Sequence, residues 1–306
     1  MATRTRPGLI RHSPRTVRAS NSLQSMTIAR PISLEKMRLA HWLSASLAIV
    51  ATVASAIGAF NAGIFRDPLA TVGNAQGTAL VILLVAVPTL IVAMIAEAQG
   101  SARAGIVWLG ALGYILYNSV LFAFDLSFNR LFLAFVAMLA LALWSIVVLL
   151  IQVDTEATRK RFTPNRTTLL IAAYLVGSAA LFLVAWMRDF VPALIHNTSP
   201  DSLNQTFMLT NPIQIMDLSV TIPLMVLSGI WLWRRHPWGY LLSGIFLVML
   251  TIETLSVAVD QLFGHYQDST QSLGAVPLMI ALTVIGFLVS MAYFRMMREG
   301  PTPEVD

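Results

Sequence analysis

The chain has 306 residues, of which 57% are hydrophobic and 11% charged, with a mean hydropathy of +0.73 and a net charge of +5. Soluble domains carry about 25% charged residues because they must wrap a core in a wettable shell; this chain lacks the material for one, which excludes a soluble globular protein. The absence of cysteine excludes disulfides, thiolate catalysis and cysteine-held metals.

Residues 1–36 hold six Arg, several Ser and no acidic residue before Glu35. They read as a basic, disordered tail against anionic lipid; the alternatives are a transit peptide, or translation starting at Met26 or Met37. From 37 to 298, apolar runs of about 20 residues recur, the length that crosses a ~30 Å hydrocarbon core. They predict spans at Leu39–Phe60, Thr78–Ala98, Ala104–Phe124 and Leu131–Val153. After a polar break come Thr167–Val191, Pro212–Trp233, Trp238–Val259 and Leu273–Met296, with 299–306 as a short tail. The connections Asp125–Arg130 and Arg234–Pro237 are short enough to make tight antiparallel hairpins of the spans they join. Strands of a β-barrel alternate in polarity over about ten residues, whereas these runs are apolar throughout. The expected fold is therefore all-α: a polytopic transmembrane helical bundle of eight spans.

Basic residues orient it. With the amino end in the cytoplasm, seventeen of the 20 Lys and Arg fall on the inner side, leaving Arg66, Arg130 and Arg188 outside. Both termini are then cytoplasmic. The sequence pI of about 10.0 reflects inner loops facing anionic headgroups and not a nucleic-acid surface. The chain also carries a sign of duplication. Pro88 is followed by Gly105 and Gly110, and Pro223 by Gly239 and Gly244, about 134 positions later. This spacing predicts two parallel four-helix repeats related by an axis along the membrane normal.

Several chemistries fall away. Of five His only His41 lies in a span, which removes bis-imidazole haem; Lys36 and Lys160 lie outside the core, which removes an intramembrane Schiff base. HExxH, Walker, GxSxG and GxGxxG patterns are absent, so no cofactor or metal site is expected. What remains is a set of polar groups inside the spans, costly unless partnered. Glu253 lies within span seven, with Ser256 and Asp260 on the same face. Asp217 lies about five residues into span six, where Gln214, Asp217, Thr221 and Ser228 share one face. Asn118, with Tyr114 and Tyr117 on its turn, lies in span three. All three groups are expected in one layer of the outer leaflet, forming a polar pocket open to the outside. Against this stand two plainer roles: Asp217 as a charge at a helix amino end, and Glu253 as interhelical packing glue.

Lesser features are a small and polar stripe on span one (His41, Ser44, Ala48, Thr52, Ser55, Ala59), read as a packing face, and a long polar connection from Pro192 to Asn211. That connection is read as a lid or a plain linker, and it carries glycosylation patterns at Asn197–Ser199 and Asn204–Thr206. The stretches Asn211–Gly244 and Gly113–Leu141 resemble a family of uncharacterised bacterial multi-pass membrane proteins. The resemblance implies a cytoplasmic (inner) cell membrane and supplies no substrate or site residue. The partners expected are the lipid bilayer and a small-molecule or ion substrate. Three functions stay open: small-solute or proton-linked transport centred on Glu253 and Asp217, a membrane-embedded enzyme using the same carboxyls as acid and base, and a non-catalytic sensor or assembly protein.

Overall fold

The computed structural model describes residues 1–3, 30–163, 165–200, 202–203 and 210–299. Most of the basic tail, the Asn204–Thr206 glycosylation pattern and the last seven residues lie outside the described residues, as does part of the expected lid. Nine helices are used below: α1 (Arg30–Phe60), α2 (Leu69–Ala98), α3 (Ala102–Phe124), α4 (Phe132–Leu150), the short α5 (Thr155–Lys160), α6 (Arg166–His196), α7 (Pro212–Trp233), α8 (Pro237–Gln267) and α9 (Val276–Met296). All but α5 are long and apolar enough to cross a membrane. Their outward faces carry large apolar side chains such as Leu84, Val92, Leu133, Leu170, Val184 and Phe287, a surface that only hydrocarbon solvates well. The molecule is an integral membrane protein.

The halves α1–α4 and α6–α9 repeat one plan. In each, the first helix packs on the second, the second on the third and the third on the fourth. The third helices, α3 and α8, pack on each other at the centre. Their glycines permit the approach: a Cβ on Gly110 would lie 2.5 Å from Val248, and one on Gly244 2.6 Å from Ile106. Both halves also carry a widened turn in the second helix. The Val87 N–H reaches the Ile82 carbonyl and the Ile222 N–H reaches the Asp217 carbonyl, each five residues back and each just before a proline. Pro88 and Pro223 have no N–H to donate and crowd the preceding turn; a π-bulge relieves both problems.

Four helices run past their predicted bounds by five residues or more: α1 starts at Arg30 and not Leu39, α6 ends at His196 and not Val191, and the other two are α2 and α8. α2 starts at Leu69 and not Thr78, and α8 continues to Gln267 and not Val259. The added segments of α2 and α8 are polar because they pair with each other. Gln267 donates to Gln76 (2.8 Å), Thr78 to Asp260 (2.9 Å), and Gln76 to the Ala59 carbonyl (3.1 Å). Gly73 and Gly77 bring the backbones together: a Cβ would meet the Phe263 carbonyl at 2.4 Å and the Asp260 Cα at 2.7 Å, a small-xxx-small crossing. Ser44, Ala48, Ser55 and Ala59 of the α1 stripe are buried, and Ser44 accepts from the Trp108 indole (3.0 Å); Thr52 is exposed.

The two ends differ in charge. One carries Arg103, Arg159, Lys160, Arg234, Arg235, Arg295 and Arg298, and is called the basic end. At this end Phe162 packs on Tyr240 and Tyr293 with ring centroids 5.0 Å apart, and the Tyr293 hydroxyl donates to the Tyr240 carbonyl. All three rings are buried. Arg103 donates to the Met297 carbonyl and pairs with Glu299 at 3.5 Å. The opposite end, called the acidic end, carries Asp67, Asp125, Asp189 and Asp268 together with Arg66, Arg130 and Arg188.

Candidate functional site

A cavity of about 540 Å³ lies among α2, α3, α6, α7 and α8 in the acidic-end half of the bundle. Its shape follows from the helices already described. The α2–α8 crossing brings Thr78 and Asp260 to one wall, and the widened turn of α7 starts at Asp217 on the other.

Asp217 is held from two helices. Tyr117 of α3 donates to Oδ1 (3.0 Å) and the Trp186 indole of α6 donates to Oδ2 (2.9 Å). An indole N–H can only donate, so Asp217 Oδ2 serves here as an acceptor. Glu253 is held by the next residue of α3: Asn118 donates from Nδ2 to Oε2 (2.9 Å) and to the Tyr114 carbonyl (3.1 Å). Consecutive residues of one helix thus anchor the two carboxyls. Asp260, two turns beyond Glu253, accepts from Thr78 through Oδ1.

Of the residues singled out in the sequence, Glu253, Asp217, Tyr117 and Thr221 line the cavity. The others stand behind it. Asn118 is 1% exposed and acts through Glu253. Tyr114 donates to Ser256 (3.0 Å), and both are buried in the α3–α8 contact. Gln214 is buried and donates to Ser202 (3.0 Å), which donates to Asp189 (2.5 Å). Ser228 turns back on its own helix, donating to the Leu224 carbonyl (2.6 Å). α8 also runs fourteen residues past Glu253, where the predicted span leaves six.

Sequence reasoning missed part of the lining. Asn74 fell in the connection before the second predicted span, and Thr78, the first residue of that span, was not singled out. Trp186 carried no signal beyond being a span tryptophan, and Asp125 was read as hairpin. Asp125 sits at the acidic-end rim beside Asp67, whose Oδ1 accepts from the Ser127 amide (2.8 Å). Asp67 Oδ2 and Asp125 Oδ1 are buried without a hydrogen-bond partner. Burial, reinforced by the Asp67 charge, pushes the Asp125 carboxyl up to about 7.

Five carboxyl residues line the cavity: Asp125, Asp189, Asp217, Glu253 and Asp260. No Lys, Arg or His does so among the described residues. Counter-charge must therefore come from protons or from a guest cation. Apolar side chains such as Phe182, Met249, Leu250 and Met279 form much of the remaining wall. Among the described residues no three His, Asp or Glu converge as metal ligands would.

Fold and site define a polytopic helical membrane protein with an acidic cavity built from both halves. Comparison with family models, curated proteins and solved structures gave no match.

Proposed function

We propose that the protein moves a small solute across its membrane in a proton-linked step centred on Glu253 and Asp217. The observation that carries this reading is that both carboxyls line one cavity without a basic partner, each anchored from α3. A carboxyl in that setting exchanges a proton for another cation at small cost, because either satisfies the same charge. We read the buried aromatic cluster of Phe162, Tyr240 and Tyr293 as the plug at the basic end. Met249 is the innermost α8 residue on the lining, and Tyr240 lies nine residues, about 13 Å, further on. Transport then requires that plug to part while the acidic end closes, by movement of one half against the other. The division of basic residues supports a cytoplasmic basic end, which turns the cavity outward.

The test is solute uptake by proteoliposomes under an imposed pH gradient. Glu253→Gln keeps the acceptor for Asn118, so it should fold normally and lose gradient-driven uptake. Wild-type proteoliposomes that accumulate no member of a broad solute panel under either gradient would remove the reading.

A second reading, a membrane-embedded enzyme using Glu253 and Asp217 as acid and base, is favoured by the apolar wall, which suits a lipid-soluble substrate. It predicts turnover in detergent with no gradient.

A further inference from the structure

The cavity's occupant can be narrowed by asking what its wall leaves unsatisfied. Glu253 Oε1 and Asp260 Oδ2 accept no hydrogen bond among the described residues, although both side chains sit deep in the bundle and line the cavity. Asp217, by contrast, has a donor on each oxygen. The wall therefore offers carboxyl oxygens with neither a hydrogen bond nor a basic residue to match them. A neutral guest of low polarity leaves these oxygens bare, and an anion meets five carboxyl residues with no basic residue on the lining. A bare metal ion is poorly served as well, since no three acidic or imidazole side chains converge and the wall is largely apolar.

We propose that the site takes a monovalent organic cation: an amine whose ammonium donates to Glu253 and whose hydrocarbon body packs against Phe182, Trp186 and Met249. The inference rests on the transport reading for its physiological sense, though not for the binding itself. An ammonium supplies up to three donors and one positive charge, which meets the free oxygen and the charge together. The volume of about 540 Å³ falls in the range of small-molecule sites, about 300–1,000 Å³, and exceeds what a hydrated inorganic ion fills. Trp186 and Tyr117 add ring systems that attract cations. Asp125 at the rim and Asp260 two turns outside Glu253 form successive acidic stations on the way in.

The experiment uses the full chain in detergent and a matched series: butylammonium and 2-phenylethylammonium, the isosteric alcohols or hydrocarbons, the corresponding carboxylates, and Na⁺ and K⁺ alone. Binding is read from tryptophan fluorescence and from the thermal shift at neutral pH. A cation with an apolar body should bind at least about tenfold tighter than its neutral and anionic counterparts, and Glu253→Gln should abolish that preference. Asp260→Asn is the second variant, expected to weaken cation binding if Glu253→Gln does not fold. Equal or tighter binding of the neutral or anionic members, competition by Na⁺ or K⁺ alone, or no binding by any cation of the series overturns the proposal. Proteoliposome uptake separates the two readings. Cation binding without gradient-driven uptake upholds the ligand class and removes transport, whereas Glu253-dependent uptake of a neutral or anionic solute keeps transport and removes this inference.

Discussion

Gly77→Ala is the sharpest test of how the α2–α8 crossing builds the cavity wall. A methyl at this position would lie 2.7 Å from the Asp260 Cα, 2.8 Å from its nitrogen and 2.9 Å from its Oδ1. Two of these atoms are backbone, so no rotamer change clears them, and the helices must separate by about 0.7 Å to restore ordinary contact near 3.4 Å. The same displacement would stretch the Thr78–Asp260 bond from 2.9 Å to about 3.6 Å, past useful hydrogen-bond length. Overpacking costs about 1–3 kcal/mol and an interhelical bond in a membrane about 0.6–2 kcal/mol. The expected loss is therefore roughly 2–5 kcal/mol, against which the better helix propensity of Ala returns at most ~1 kcal/mol. Gly177→Ala is the control, since a Cβ there meets nothing within 4 Å. Thermal unfolding of both variants in one detergent, followed by near-UV circular dichroism, checks the difference. If Gly77→Ala melts with Gly177→Ala, the close backbone approach is not what holds α8 against α2, and the position of Asp260 needs another explanation.

Three further outcomes are expected. Asp125 carries a carboxyl raised to about 7 by burial and the Asp67 charge, so the folded state holds its proton more tightly than the unfolded chain, where an ordinary value near 3.9 applies. Its contribution to stability is complete below about pH 4 and is lost as pH rises through about 7; melting temperature against pH should fall across that window in the wild type, and Asp125→Asn should flatten the fall, an unchanged slope in the variant contradicting the assignment. Trp186→Phe strips the donor from Asp217 Oδ2 and should cost about 1–3 kcal/mol, and a cycle with Asp217→Ala, which removes the acceptor, should recover most of that cost as coupling if the bond is the cause. Finally, reporter fusions after Lys160 and after Arg298 should read cytoplasm and one near Asn204 the outside; a cytoplasmic signal at Asn204 would invert the orientation.

Much of the architecture was legible in one dimension, because lipid imposes a rule on every span separately: a helix of about 20 residues must be apolar on its own account. Composition, span number, the basic end and the two proline positions needed no knowledge of neighbours. Pro88 and Pro223 even marked the widened turns, since a missing N–H acts within its own helix. Glu253, Asp217 and Tyr117 were legible as candidates on the same grounds, each polar where polarity is expensive.

What the sequence could not assign was any property that depends on a partner. The polar first turns of α2 and last turns of α8 read as loops because hydropathy sums over one segment, yet Thr78 with Asp260 and Gln76 with Gln267 cancel their cost across two. For the same reason Tyr114 and Ser256 looked like Tyr117 and Glu253 on paper. They satisfy each other within the α3–α8 contact and leave the cavity to their neighbours. Trp186 became a site residue only because α6 lies where its N–H meets Asp217. One helix fixes which residues must find a partner; only the packing of several decides which of them find one inside the protein and which are left facing the cavity.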